Sequence, residues 1–191
     1  QNVTFTASEF KNILVNSICA DTNDDGILDS DVDTNNDGQI QTTEAQAVYH
    51  LNTLGLYAKN LSGIDAFTHL KSLVCAGSGL LFINISGLNQ LQSIDCSGAG
   101  TYSITLNGLT QLETLNCSNN ELMTVLNFSG LDQLKNLNCS QGRITNLNLT
   151  PHPLLETLNC SGNQLSTITF PASNNLQSLN CSKNLLANFD Y

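Results

Sequence analysis

Tryptophan is absent from this chain, aromatic residues reach only 6% of it, and charged residues only 12%, about half the usual charged share. Asn, Ser, Thr and Gln fill the polar positions instead, which suits a surface of stacked neutral side chains. Lysine and arginine together number six and form no cluster. That scarcity argues against nucleic acid and against anionic membrane as partners. No apolar run approaches the ~20 residues needed to span a bilayer, so membrane insertion is not expected. Missing too are a nucleophile–base set, a carboxylate pair and a catalytic metal motif, and the chain is not expected to be an enzyme. What is present is enough apolar material, 40% of 191 residues, to build a full core and to exclude global disorder.

The charge that exists is unevenly placed. Residues 1–50 carry nine acids against Lys11, a balance of −8; residues 51–191 carry seven acids and five bases, −2, and the two make up the chain's −10. The chain opens on Gln1 without a signal peptide, as a processed exported protein would, so a secreted or surface location is expected.

Cysteines fall at 75, 96, 117, 139, 160 and 181, at spacings of 21, 21, 22, 21 and 21 residues. A fixed period of this length is the mark of a solenoid. Aligned on the cysteines, the segments read LKSLVCAGSGL, LQSIDCSGAGT, LETLNCSNNEL, LKNLNCSQGRI, LETLNCSGNQL and LQSLNCSKNLL. Their shared form, L-x-x-L-x-C-S-x-N-x-L, resembles the leucine-rich repeat with Cys in place of the third Leu. The resemblance covers roughly residues 48–191. It implies an α/β-type solenoid, a right-handed superhelix of parallel strands with a short β or irregular convex side. About seven repeats of 19–22 residues would occupy residues 51–191, behind a cap formed by residues 1–50. The first repeat, around Leu51–Leu56, is degenerate and its register ambiguous.

Alternation along a strand sends the first and third residues of L-x-C to one side. Leu73/Cys75, Ile94/Cys96, Leu115/Cys117, Leu137/Cys139, Leu158/Cys160 and Leu179/Cys181 should therefore face the core, one strand per repeat at ~4.8 Å. Leu80, Leu122, Ile144, Leu165 and Leu186 fit the next inward position. Ile83/Ile85, Ile104/Leu106, Val125, Leu147/Leu149 and Ile168/Phe170 then predict a second short strand on the opposite side. The extra residue of the 22-residue repeat is expected near 126–128, as a bulge. The asparagine that satisfies turn backbone in this family is present at Asn120, Asn163 and Asn184, and is replaced by Ser78, Ala99 and Gly142 elsewhere.

An even set of cysteines in an exported protein normally suggests disulfides. Here the side chains of in-register parallel strands point the same way, so disulfide torsions would be strained. The six are read as buried, reduced and inert; Cys19 stands outside the ladder and its state is open. His50, His69 and His152 show no ligand spacing and are read as surface or loop residues.

In the cap, Thr6-Ala7-Ser8-Glu9 reads as a capping box, with Phe5 and Phe10 as a hydrophobic staple. Phe10, Ile13 and Leu14 make one apolar face of a helix over residues 7–17. DTNNDGQIQTTE, residues 33–44, then resembles the EF-hand calcium loop position by position. Asp33, Asn35 and Asp37 take positions 1, 3 and 5, and Gly38 makes the sharp turn. Gln39 offers its carbonyl, Ile40 is the apolar position, and Gln41 binds directly or through water. Glu44 closes the set as a bidentate carboxylate, and a helix over residues 43–50 should follow. DTNDDGILDSDV, residues 21–32, begins the same way with Asp21, Asn23, Asp25 and Gly26, Ile27 offering its carbonyl. Its twelfth position is Val32, which cannot ligate; Asp29, Asp31 or Asp33 could complete a second site. The abutting loops resemble the tandem aspartate loops of thrombospondin type 3 repeats. The whole layout is similar to the internalins, and more closely to secreted leucine-rich-repeat proteins of Bacteroidetes. Those resemblances imply calcium in the cap and an adhesion or ligand-binding role.

The outward strand residues are small, polar and nearly uncharged, and include Asn116, Asn138 and Asn159. Asn and Ser are expected to hydrogen-bond along the stack; a ligand there would be a flat polar surface or a glycan edge. Tyr102, Glu121, Met123 and Arg143 are placed in the turns beside this face, and Tyr102 and Arg143 are of types enriched at hot spots. Nine N-x-[ST] sequons occur, four of them N-C-S on adjacent strands too close for glycans, which fits a by-product of the repeat in a bacterial protein. The expected function is a calcium-stabilised module binding a protein or glycan, acting as a monomer. The alternatives are a structural spacer and ice or crystal-surface binding by the regular Ser/Thr/Asn array. A spacer would suit the C-terminus, where Asn188-Phe189-Asp190-Tyr191 falls inside a repeat without a recognisable cap.

Overall fold

A computed structural model describes residues 1–173 and 175–187; the C-terminal stretch expected to lack a cap, residues 188–191, lies outside the described residues. Among the described residues the chain is a coil of parallel strands with two short α-helices, both in the cap. The cap comprises α1 (Ser8–Asn16), β1 (Ala20–Asp21) and α2 (Thr42–Gln46). The concave strands are β2 (His50–Asn52), β3 (Ser72–Val74), β5 (Ser93–Asp95), β7 (Thr114–Asn116), β8 (Asn136–Asn138), β10 (Thr157–Asn159) and β12 (Ser178–Asn180). With β1 they form one eight-stranded sheet in the order β1-β2-β3-β5-β7-β8-β10-β12. Only β1 runs antiparallel. The convex strands are β4 (Phe82–Asn84), β6 (Ser103–Thr105), β9 (Asn146–Asn148) and β11 (Thr167–Thr169), which pair β4 with β6 and β9 with β11.

The register is that of the cysteine period. Leu73, Ile94, Leu115, Leu137 and Leu158 pair in sequence and are buried, as are the cysteines two residues on. At the last turn Leu179 and Cys181 are only half-buried. The ambiguous first repeat resolves through Leu51, which pairs with Leu73. Thr53 therefore occupies the cysteine column. It is fully buried, and its hydroxyl donates to the Val74 carbonyl at 3.3 Å.

Turn chemistry holds the rungs together. Asn120 Nδ2 donates to the carbonyls of Cys96 (3.1 Å) and Cys117 (2.9 Å), and its Oδ1 accepts from Thr101 N (3.1 Å). Asn163 does the same for Cys139, Cys160 and Ile144 N, and Asn184 for Cys160, Cys181 and Leu165 N. Each asparagine thus serves its own repeat and the one before it. A Cβ at Gly142 would come within 2.9 Å of Asn163 Oδ1, so at that position the bridging amide crowds a side chain, whereas Asn163 itself is accommodated beside Asn184. Asn120 reaches in the same way into the repeat that carries Ala99.

The 22-residue repeat departs from expectation. The extra residue sits at Glu121–Leu122, not near 126–128. Met123, not Leu122, takes the inward position, and its carbonyl accepts from Arg143 N as Ile144 O accepts from Gln164 N one turn later. Everything after Met123 is shifted by one. Val125 is consequently 70% exposed and Leu126 packs inward instead. No convex strand forms between Met123 and Phe128, and this is why the convex ladder is split into two pairs.

Two expectations for the cap are also corrected. The Thr6–Glu9 capping box does not form: α1 starts after Ala7 without a side-chain cap. Thr6 N donates instead to Ser62 Oγ (3.0 Å) and Glu9 accepts from Lys59 (3.3 Å), both in the first repeat. The staple is present, Phe5 against Phe10 edge-on at 6.3 Å. The helix expected over 43–50 ends at Gln46, because Tyr49 N and Asn52 N are drawn to the carbonyls of Asp21 and Cys19 as β2 joins β1.

Replacing Asn163 with Ala would leave one buried amide and two carbonyls short of a partner. Each such group costs about 1–3 kcal/mol, so Asn163→Ala should lower unfolding free energy by at least ~2 kcal/mol in urea melts, while Asn148→Ala on the convex surface should stay within ~0.5 kcal/mol. Equal stability of the two variants would contradict the bridging role.

Candidate functional site

The two acidic loops are built alike. Asp21 and Asp33 are buried, and each receives its loop's glycine N–H, from Gly26 (2.7 Å) and Gly38 (2.8 Å). Asn23 and Asn35 accept from the N–H of Asp25 and Asp37, which in turn accept from Ile27 and Gln39. Both loops turn through left-handed backbone at Asp24/Asn36 and Gly26/Gly38. The shared scheme ends where the sequences part, at the twelfth position.

In the second loop Glu44 closes the ring. Its Oε1 accepts from Thr34 Oγ1 (3.0 Å) and Asn35 N (3.2 Å), and its Oε2 from Gln41 N (2.8 Å), a capping box for α2. Asn35 Nδ2 donates to Gln41 Oε1 (2.7 Å), and Gln41 Nε2 to Asp37 Oδ2 (3.0 Å). The neighbouring ammonium, Lys11, goes to the neutral Gln39 side chain, so among the described residues no side-chain cation sits on Asp33, Asp37 or Glu44. Burial, with the charges of Asp33 and then Glu44, pushes the nearby Asp31 carboxyl above its usual range. Three carboxylates, two side-chain amides and the Gln39 carbonyl fit a hard, oxygen-liganded cation such as calcium in type and order. As they stand, the loop is knitted by its own hydrogen bonds, and no three acidic, His or Cys side chains among the described residues converge as a metal cluster.

The first loop is completed differently. Val32 is buried in the core and Ile27 is exposed. His50 Nε2 lies 3.1 Å from Asp24 Oδ1 and 3.9 Å from Asp21 Oδ2, and Lys71 pairs with Asp24. The Lys71 bond, and after it His50, holds the Asp24 carboxyl below its ordinary value. Burial pushes Asp21 up, but the amides of Gly26, Asn23 and Asp24, with His50, outweigh it. Asp29 and Asp31 make no side-chain bond to this loop among the described residues. Nothing in the local pattern marks His50 and Lys71 as partners of this loop; they stand 26 and 47 residues from Asp24 and meet it because β2 pairs with β1 and β3 follows on the other side of β2.

On the concave face Asn116, Asn138, Asn159 and Asn180 share one arrangement. Each Oδ1 accepts from the hydroxyl and N–H of the serine two residues on, at 2.8 Å and 3.2–3.3 Å. These bonds run within one repeat, not along the stack as expected. The rung-to-rung bonds belong to the neighbouring column, Thr157 Oγ1 to Asn136 Oδ1 (2.7 Å) and Asn136 Nδ2 to Thr114 Oγ1 (3.4 Å). Asn116, Asn138, Asn159 and Asn180 thus present a row of Nδ2 donors without a protein partner among the described residues. They line a shallow concavity of about 410 Å³.

The rim residues do not form one group. Met123 is buried, which removes it from any edge. Tyr102 stacks on Phe82 at 6.0 Å on the convex side, while Arg143 is exposed two repeats further along. His152 is not at the surface: it is buried against Phe128 (4.6 Å), with Nδ1 3.3 Å from the Leu131 carbonyl. Burial holds its imidazole below the ordinary value.

Among the described residues no disulfide forms; Cys19 is buried and free like the ladder. Burial pushes the thiols of Cys19, Cys75, Cys117 and Cys160 up to about 12, and Cys96 and Cys139 well above their ordinary value. Thiols so placed are poor nucleophiles and poor metal ligands.

No family model matches this sequence, and comparison with curated proteins finds no match. Solved structures do resemble it. The functional domain of InlJ from Listeria monocytogenes, described as including a cysteine ladder, aligns at 21% identity with a TM-score of 0.52, covering 80% of this chain and 43% of that one. A TLR13–ssRNA13 complex aligns at 28% identity with a TM-score of 0.55, over 78% of this chain and 27% of that one. The chain thus spans less than half the length of either. An internalin C2 from Listeria monocytogenes covers 78% of each chain at 18% identity and a TM-score of 0.47. The fold is that of the leucine-rich-repeat solenoids, and no helix among the described residues is long and apolar enough to cross a membrane.

A thiol reagent added to native protein should label at most Cys181 quickly, since it alone is half-buried; the other six should react only in denaturant. Rapid native labelling of Cys117 or Cys139 would show that the ladder is not closed.

Proposed function

We propose that this chain is a ligand-binding or adhesion module of a secreted or surface bacterial protein, with a calcium-ordered cap, and that its concave face takes a polar protein or glycan surface. The row of Asn116, Asn138, Asn159 and Asn180 amides carries the reading. Each Nδ2 is aimed by the bond its own Oδ1 makes to serine, so the donors are fixed before a ligand arrives and little side-chain entropy is lost on binding. Ligand acceptors repeating at about the strand spacing of ~4.8 Å would match them. Single-stranded RNA, named with TLR13, is disfavoured here by a net charge of −10 and the lack of any Lys or Arg lining the concavity. Arg143 would extend the contact beyond the sheet.

Calcium would be held by Asp33, Asn35, Asp37, Gln41 and Glu44 with the Gln39 carbonyl. Bound there, it supplies the positive charge that these carboxylates otherwise lack. The first loop has part of that charge from Lys71, with His50 as a further hydrogen-bond partner, which makes it the weaker candidate. Binding to the native state alone stabilises by about 2.7 kcal/mol at a hundredfold excess over Kd. Wild-type protein should melt several degrees higher in calcium than in EDTA. Glu44→Ala will lower the melting temperature in both, because the capping box is lost, but should abolish the difference between them. A calcium shift of full size in Glu44→Ala would move the metal elsewhere.

For the concave face, Asn138→Arg places a long cation in the middle of the donor row without touching the core. Partners captured from host or environmental extracts, or spots on a glycan array, should be lost by Asn138→Arg while the protein still unfolds in one cooperative transition, the lost bonds to Ser140 lowering the melting temperature only slightly. Retention of every partner would exclude this face.

A further inference from the structure

The convex side of the first repeats carries a feature that the concave reading does not use. Strand β4 is paired on one side only, with β6. On its other side residues 61–65 of the preceding repeat form no strand; they turn away through a left-handed Gly63 into the short 3₁₀ turn Ile64–Ala66. That segment is tied to the cap instead. Thr6 N donates to Ser62 Oγ (3.0 Å), and a Cβ on Gly63 would meet Val3 and Phe5 at 2.9–3.0 Å. Because the cap holds this wall away from β4, an open groove of about 400 Å³ separates the two, within the ~300–1,000 Å³ of small-ligand sites.

The groove has two kinds of wall. One is aromatic: Phe82, 69% exposed, which lines the groove and is backed from the β6 side by Tyr102, with ring centroids 6.0 Å apart and planes 26° from parallel. The other is polar: Ser62, Asp65, Asn84 and Ser86. Asn84 spends Oδ1 on the N–H and hydroxyl of Ser86 (3.3 and 2.8 Å), which leaves its Nδ2 as a donor, while the exposed Asp65 carboxylate can only accept. None of the six Lys and Arg residues lines the groove. An anionic ligand would therefore meet a carboxylate without a counter-charge, and an apolar peptide would leave Asp65 and Asn84 unpartnered. A pyranose ring suits both walls. Its C–H face is apolar and flat enough to lie on an aromatic ring, and its hydroxyl edge offers donors to Asp65 and acceptors to Asn84.

We propose that the groove between Phe82–Ser86 and Ser62–Asp65 is a second binding site, for an uncharged pyranose unit of an oligo- or polysaccharide, with Phe82 as the stacking platform and Asp65 and Asn84 as the hydroxyl partners. Its position gives the module two faces, so that it can hold a polymer on the convex side while the concave sheet remains open.

Affinity electrophoresis of the full chain tests this, with native gels containing dextran, soluble starch, xylan, mannan or hydroxyethylcellulose, and polygalacturonate as the anionic control. At least one neutral polymer should retard the protein, and raising salt should leave the retardation unchanged. Phe82→Ala should weaken it about tenfold, the loss expected for an anchoring aromatic, and Asp65→Ala with Asn84→Ala should do the same. All three positions are exposed, so the melting temperature should hold. Asn138→Arg on the concave sheet should have no effect, which keeps this result separate from the other face. Retardation by none of the neutral polymers, or only by polygalacturonate, overturns the proposal. So does retardation that survives Phe82→Ala, or that Asn138→Arg abolishes. A dimer in sedimentation that Phe82→Ala dissolves, without sugar binding, would assign the patch to a second copy of the chain and overturn it as well.

Discussion

Every turn of this coil must bury the backbone that follows its concave strand, and a buried backbone amide or carbonyl has to find a partner inside the protein. The bridging asparagine is the solution. One planar side chain, with two donors and an acceptor, satisfies carbonyls of two successive repeats and an amide of the earlier one. Where it occurs, this bracket joins one turn to the next in the register that the parallel strands share throughout. The cysteine column then follows from space: a small apolar side chain fits directly beneath the turn, and once buried there its thiol is too costly to ionise. Sequence variation within the motif obeys the same constraint. Glycine stands at 142, where the next repeat's amide crowds a side chain; threonine stands at 53, where a hydroxyl can reach a carbonyl of the following turn.

The cap solves a different problem, that of the coil's open end. It adds one antiparallel strand to the sheet and lays Phe10 and Leu14 into the core. In doing so it concentrates carboxylates beside the first repeat. The two loops share a hydrogen-bond scheme and differ in how their charge is met. The first receives His50 and Lys71 from the repeats it covers. The second, with Asp33 and Glu44 buried, receives no such partner among the described residues. That asymmetry separates the loops more clearly than the missing twelfth ligand does.

Most of the fold was legible in the sequence, since a solenoid repeats its own inward pattern and six copies of L-x-C leave one register. The convex strands were legible for the same reason, except in the repeat where one residue is added. A period gives the number of residues in a turn and not where a surplus is absorbed. Only the packing of Met123 in place of Leu122 locates it. The first repeat was obscure because Thr53 is not a hydrophobic residue, although it takes a hydrophobic residue's place. His152 read as a surface histidine since nothing local marks it; its burial comes from Phe128 in the preceding turn. For the candidate site, the loop at 33–44 and the outward asparagines were readable as positions. The direction of the amide bonds was not, because whether an asparagine turns to its own serine or to the next strand is decided by tertiary geometry. Tyr102 was placed on the wrong side for the same reason: its partner Phe82 lies one turn earlier.

The surplus residue at Glu121–Leu122 has a mechanical consequence. On the concave side eight strands form an unbroken sheet, while on the convex side the rungs are laced only in pairs, β4 with β6 and β9 with β11. Between them the Cys117 repeat has no strand on that flank and meets the next turn through the Met123 carbonyl, which accepts from Arg143 N, and through the packing of Leu126. Strand pairing ties neighbouring rungs along the whole concave side, whereas on the convex side the ladder stops at the Cys117 repeat, next to the place where the amide row begins, so the surplus residue marks the seam between two separately laced halves.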